Sequence, residues 1–145
     1  TEPVKGPRVL VIGAGRTGLE IAENLGKSGF NVVATKRTDP IGSMMEMITK
    51  KLTLMRIEGM PNITLMPHTA VTAFKPDRVE MTQDGAPVEL PPFQTVILAT
   101  GMTPAPGPDP TIRETVPSLE IIGDAGAVMD IYTAVHAGYE TALRY

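Results

Sequence analysis

The stretch that most constrains the fold runs from Arg8 to Gly29, RVLVIGAGRTGLEIAENLGKSG. Its apolar run, Val9 to Ile12, reads as a strand that feeds directly into Gly13, Gly15 and Gly18. A helical pattern opens at once, with Leu19, Ile21, Ala22 and Leu25 on its inner side. Strand, glycine turn and helix in that order suit a dinucleotide pyrophosphate. The first glycine permits a tight turn, the second lets backbone approach phosphate, and the third lets helix and strand pack closely. The helix N-terminus adds free N–H groups and partial positive charge. The spacing alone is a weak signal, but here the required strand precedes it and the required helix follows. The turn as a whole, Gly13, Ala14, Gly15, Arg16, Thr17 and Gly18, is the first candidate site. Arg16 either adds charge beside a pyrophosphate or points into solvent, and a glycine turn without ligand is the plainer alternative.

Composition narrows the class. A chain of 145 residues, 42% apolar and 20% charged, suits one soluble globular domain. The net charge of −3 offers no basic footprint for nucleic acid or anionic membrane. No apolar run reaches the roughly 18 residues of a membrane span, and the polar opening TEPVKGP is no signal peptide. The chain has no cysteine, which removes disulfides, thiolate metal sites and dithiol redox chemistry from these residues. That agrees with a cytoplasmic setting.

Along the chain, the first helix spans about Arg16 to Ser28 and a second, parallel strand spans Asn31 to Thr35. The helix between them supplies the crossover that a parallel return needs. Ser43 and Glu46 have capping-box spacing and predict a helix to about Glu58. Its methionines, Met44, Met45, Met47 and Met55, read as flexible core filler rather than a soft-metal surface. A third short strand spans Ile63 to Met66. Segments 71–74, 78–82 and 87–90 then alternate as a small antiparallel meander, with turns at Lys75-Pro76-Asp77 and Asp84-Gly85. The run Thr95 to Gly101 reads as a strand buried on both faces. A stiff connector carrying Pro104, Pro106, Pro108 and Pro110 follows. Beyond it, Leu119 to Ile122 reads as a last strand entering Gly123-Asp124, before a terminal helix from about Asp130 to Tyr145.

The tip of the second strand, roughly twenty residues after the glycine turn, carries further chemistry. An acid there binds the adenosine ribose of NAD, whereas basic residues meet the 2′-phosphate of NADP. The sequence reads Thr35-Lys36-Arg37-Thr38, with no acid until Asp39. Lys36 and Arg37 suit a phosphate, Arg37 through paired donors, and so favour NADP over NAD. The alternative is a pair of solvated strand-end charges. His68 and His136 stand alone, and the carboxylates of Asp77, Asp84, Glu89, Asp109 and Glu114 read as surface charge. No catalytic acid, base or nucleophile and no metal cluster emerges.

These pieces come in a familiar order. The turn Gly13 to Gly18 with Glu20 and Ala22, the Lys36-Arg37 tip, the meander, the run Thr95 to Gly101 and the closing Ile121-Ile122-Gly123-Asp124 resemble the FAD-dependent pyridine nucleotide-disulfide oxidoreductases. More narrowly, the chain is similar to the C-terminal region of NADH:flavin oxidoreductases of the 2,4-dienoyl-CoA reductase and trimethylamine dehydrogenase type. The ending Asp130 to Gly138 shares in that likeness. The resemblance implies an NAD(P) domain inserted between two halves of an FAD domain. Glu20 would mark the inserted domain and lie toward the nicotinamide end. Ala99, Thr100 and Gly101 would lie close to bound nucleotide, and Asp124 would contact FAD.

Two departures qualify it. Only one glycine fingerprint is present, and there is no Cys-x-x-Cys. The expectation is therefore an α/β, Rossmann-like three-layer domain with a central parallel sheet, helices on one side and the meander on the other. Residues 1–145 form one nucleotide-binding domain, with 8–103 as the NAD(P) core and 104–145 completing an FAD domain elsewhere. Leu119 to Ile122 is expected to dock as a fifth strand. The expected cofactors are NADP or NAD, with FAD in the intact protein. The expected partners are the dinucleotide and the remaining flavin domains of a parent chain, with neither nucleic acid nor membrane. Isolated, such a chain binds and positions nicotinamide but is not catalytically complete. An ADP-holding support module, or an FAD site at the same turn, are the rival readings.

Overall fold

Runs of branched apolar residues make the central strands, and Gly13, at φ 105°, ends the first of them. The computed structural model describes residues 3–105 and 107–145; Thr1, Glu2 and Pro106 of the expected leader and connector lie outside them. The chain divides into two compact units, Thr1–Gly101 and Met102–Tyr145.

In the first unit, β1 (Arg8–Ile12) leads through the glycine turn into α1 (Arg16–Lys27), and β2 (Asn31–Thr35) returns parallel to β1. Next come α2 (Met47–Glu58) and β3 (Ile63–Met66), which pairs parallel with β2. The meander is β4 (Thr69–Phe74), β5 (Val79–Gln83) and β6 (Ala86–Val88), and β7 (Thr95–Leu98) rejoins β1 in parallel. The main sheet has the order β3-β2-β1-β7, and the small antiparallel sheet the order β4-β5-β6. Asp84 and Gly85, at φ 51° and 81°, make the two-residue turn that the Asp-Gly pair predicts.

Alternation along the central strands creates two cores. Val9, Val11, Val32 and Ala34 pack with Leu19, Ala22 and Ile57 on the helical side. Leu10 and Val33 pack with Met66 and Met81 on the meander side. This is the expected three-layer α/β arrangement. A buried carboxylate ties its two helices together. Glu23, only 6% exposed, accepts from Lys27 Nζ at 2.7 Å and from Arg56 Nε and Nη2 at 2.7 and 3.0 Å. The Arg56 and Lys27 hydrogen bonds lower its pKa from 4.5 to about 2.

Several expectations are corrected. Helix α2 begins at Met47 rather than at a Ser43 capping box, because Glu46 is itself the cap and accepts from the amides of Ile48 and Thr49, each at 2.9 Å. Those two amides pull the Glu46 carboxyl below its ordinary range. Of the methionines only Met45 packs against the helical-side core; Met44 is 86% exposed, and Met47 and Met55 are exposed with it. Thr53 and Ile57 supply the buried face of α2, so its apolar residues occupy both sides of the helix. Strand β7 is not buried on both faces. It is the sheet's edge, and Leu98 is 68% exposed.

The second unit holds α3 (Ile112–Thr115), a 3-10 turn (Gly123–Ala125) and α4 (Ile131–Ala142). Asp130 caps α4 by accepting from Thr133 N at 2.8 Å. Leu119 to Ile122 forms no strand and there is no fifth strand in the main sheet among the described residues. An extended segment becomes a strand only through ladder hydrogen bonds, and none reach it.

Candidate functional site

The sheet order places a topological switch beside β1, between it and β7. From β1 the chain moves outward to β2 and β3, then crosses back to place β7 on the other side of β1. At such a point the carboxyl ends of adjacent strands splay, and open α/β sheets bind ligands in the resulting crevice. The glycine turn lies at the end of β1, flanked by the Lys36 tip after β2 and by Ala99 to Gly101 after β7.

Each turn glycine answers a different demand. Gly13 has φ 105°, and a side chain there would drive into the Ala99 carbonyl. Gly18 would meet the Gly13 carbonyl in the same way. Both glycines are therefore required by the packing of turn, helix and β7. Gly15 is different. Its φ of −81° suits any residue, and nothing lies within 4 Å of where its Cβ would stand. It opens α1 as the N-cap, with no side-chain cap hydrogen bond. The first amides of α1 thus face open space in front of a residue with no side chain, which is the form of an anion cradle.

The neighbouring segments are fixed to this turn. Gly13 N donates to Thr35 O at 2.9 Å and Ala99 N to Ile12 O at 2.8 Å, joining the tips of β2, β1 and β7. Lys36 is held on both backbone groups, donating to Met66 O at 2.9 Å and accepting from Thr69 N at 2.8 Å. Its ammonium donates to Thr38 Oγ1 at 3.3 Å. Arg37 is exposed and makes no hydrogen bond or ion pair with the described residues. Asp39, the nearest acid along the chain, has Oδ1 engaged by the Ile41 amide at 3.2 Å.

Sequence reasoning overlooked the segment that follows. Gly42, at φ 65°, donates its N–H to Ala14 O at 2.9 Å, and Ile41 enters the helical-side core. This loop supports the glycine turn from behind. An Asp-Pro-Ile-Gly turn signal after the strand was its only trace in the sequence.

Of the remaining candidates, Ala14 is buried under the turn, while Thr17, Thr100 and Gly101 are exposed. Arg16 and Glu20, both exposed, pair with each other at 3.3 Å across one helical turn. Asp124 belongs to the second unit, where its Oδ1 accepts from Met129 N at 3.4 Å. No group of three or more metal-ligating side chains occurs among the described residues. No helix among them is long and apolar enough to cross a membrane.

Residues 2–111 match the family described as pyridine nucleotide-disulphide oxidoreductase. The chain belongs to that family. Its members bind flavin and pyridine nucleotides. Solved structures with a similar fold include a 2-naphthoyl-CoA reductase, at 21% identity and a TM-score of 0.77 over 99% of this chain. Histamine dehydrogenase from Rhizobium sp. 4-9 matches at 21% identity and a TM-score of 0.76 over 96% of the chain. A HOCl-induced flavoprotein disulfide reductase from Escherichia coli matches at 12% identity and a TM-score of 0.64 over 95%. The chain spans only 22%, 23% and 36% of those proteins' own lengths. With no cysteine, it carries no counterpart to the disulphide chemistry in the family's name.

Proposed function

We propose that the first unit is the NADPH-binding domain of a flavin-dependent oxidoreductase, with FAD held mainly by other parts of the same protein. The observation that carries this reading is the tip of β2. Beside the glycine turn stand Lys36 and Arg37, while Asp39, the nearest acid along the chain, lies two residues further on with Oδ1 held by the Ile41 amide of its own turn. A pyrophosphate fits the site because α1 begins uncapped and Gly15 leaves room for a close approach. Gly13, Ala14, Gly15, Arg16, Thr17 and Gly18 would form the cradle, and Lys36 and Arg37 would take the 2′-phosphate. Ala99, Thr100 and Gly101 line the crevice on the β7 side. Glu20, one turn into α1, lies toward the nicotinamide.

When bound, the nicotinamide supplies a hydride for a flavin acceptor. This chain's residues bind and orient the donor and move no proton themselves. The second unit contributes to the flavin domain, with Asp124 toward the FAD. The fold likeness to 2-naphthoyl-CoA reductase and histamine dehydrogenase supports a subgroup akin to 2,4-dienoyl-CoA reductase and trimethylamine dehydrogenase. The absence of cysteine suits work in the cytoplasm.

Titration with NADPH and with NADH, followed by nicotinamide fluorescence, tests the reading. NADPH is expected to bind about tenfold tighter or more, the equivalent of one charge-assisted hydrogen bond. Failure of both nucleotides at millimolar concentration overturns it. A second reading, an ADP-holding support without hydride transfer, is favoured by one observation: Glu20, the acid nearest the turn, is already paired with Arg16. ADP binding as tight as NADPH binding would favour that alternative.

A further inference from the structure

We propose that the outward face of α2 is a self-association surface, on which two copies of this chain pair through antiparallel α2 helices about a twofold axis. The inference is independent of the nucleotide reading above.

Helix α2 is apolar on two opposite sides. It turns Thr53 and Ile57 inward, and Arg56 ties it to the buried Glu23. At about 100° per residue, Met47, Ile48, Leu52 and Met55 fall across the side facing away from Thr53 and Ile57. Each of them is at least half exposed, and Met44 just before the helix is exposed as well. A surface helix with nothing further to cover it carries polar residues there. A contiguous apolar face left open marks an interaction site.

The charges within this face indicate what covers it. Lys51 and Glu58 are exposed, and neither makes a hydrogen bond or ion pair with the described residues. Seven residues apart, they stand about 10 Å from each other along the helix and within about 20° of one line. Leu54 and Met55 straddle that line between them. Together with Met47 and Lys50, these four residues line an open groove of about 420 Å³.

With a second α2 laid antiparallel on this groove, Lys51 of each copy meets Glu58 of the other. The same register sets Leu54 against the partner's Met55, because both pairs are centred midway between residues 54 and 55. Each unpaired charge is thus met by its opposite, and an apolar contact lies on the axis. Such self-complementarity is what a twofold interface requires. A parallel pairing would set Lys51 on Lys51 and Glu58 on Glu58, which like-charge repulsion opposes. The reciprocal spacing favours a second copy over an unrelated surface. One helix pair buries less than the roughly 800 Å² per partner of standard complexes, so the dissociation constant is expected on the order of ten micromolar.

Sedimentation equilibrium of the chain and its variants at low salt tests the proposal, with Tm measured beside it. Met55→Glu places a charge on the axis and is expected to weaken the dimer at least about tenfold with Tm unchanged. Lys51→Glu and Glu58→Lys each turn two attractive contacts into two repulsive ones, and each is expected to weaken it about tenfold. The two reversals shift net charge in opposite directions, so a general charge effect would move them oppositely. The double reversal rebuilds both pairs with the signs exchanged and is expected to return the dissociation constant to within about threefold of the parent. Val135→Glu, in α4, is expected to leave it unchanged.

A chain that stays monomeric at millimolar concentration overturns the proposal and leaves the α2 face to another part of a larger protein. A dimer that survives Met55→Glu, or that Val135→Glu breaks, also overturns it. So does a double reversal no tighter than the single ones.

Discussion

The two units of the chain are built on opposite principles. In the first, Val9, Leu10, Val11, Leu19 and Ala22 are fully buried, and the buried Glu23 carboxylate is paired with Arg56 and Lys27. In the second, no described residue is buried, and Ile131, Tyr132, Val135 and Tyr139 lie exposed along α4, as does Leu143 just after it. Local hydrogen bonds, such as the Asp130 cap, define the second unit's elements, but no core of its own defines their packing. A glycine turn that must hold backbone amides to fractions of an ångström needs the first kind of support. The second kind of surface, an apolar helix face left open, is the sort that gains stability only against another surface.

Substitutions of glycine should divide the units most sharply. Gly18→Ala forces a methyl into the Gly13 carbonyl and is expected to cost about 3 kcal/mol or more, read as loss of the cooperative melting transition. Gly138 in α4 has only Ile122 Cδ1 near its would-be Cβ, at 3.8 Å. Gly138→Ala is therefore expected to leave Tm unchanged or raise helix content slightly, by about 1 kcal/mol or less. Equal destabilisation by the two would erase the distinction.

Core truncation gives the next largest contrast. Leu10→Ala is expected to cost about 3 kcal/mol in denaturant unfolding, the usual cost of a buried leucine, and Val135→Ala less than about 0.5 kcal/mol.

A smaller effect follows from Glu23. Its folded pKa of about 2 lies below the ordinary 4.5, so it contributes stability that is present above pH 4.5 and lost as pH falls toward 2. Arg56→Met removes the largest cause of that shift. It is expected to lower stability at pH 7 by about 2 kcal/mol and to flatten the acid limb between those two pH values. An unchanged acid limb in pH-dependent denaturation would contradict the clamp. At the smallest scale, amide hydrogen exchange should be slowest in β1 and β2 and fast along α4.

Much of this was legible in the sequence, and unevenly so. The fingerprint from Val9 to Gly18 determined β1, α1 and the turn because each glycine there answers a local backbone demand. The Asp-Gly hairpin was equally clear, for the same reason. The α2 methionines misled because apolar residues need not be inside; the rule that cores are apolar does not run in reverse. Glu46 displaced Ser43 as the cap because its carboxylate reaches two amides at once. Leu119 to Ile122 has strand composition but lacks a ladder partner, which no local pattern encodes. At the site, Lys36 and Arg37 were visible as charges. The Asp39–Ile41 and Lys36–Thr38 hydrogen bonds depend on local side-chain geometry and the Gly42 support on a tertiary hydrogen bond, and these were not.

The claim at the centre is that the space in front of Gly15 serves a ligand and not the fold. Its φ of −81° and the absence of any atom within 4 Å of where a Cβ would stand mean that Gly15→Val should fold normally. The decisive measurement is the NADPH dissociation constant of Gly15→Val beside its Tm. Affinity should fall at least about tenfold with Tm unchanged, as one blocked phosphate contact requires. An unaltered dissociation constant would show that the glycine turn does not hold the nucleotide.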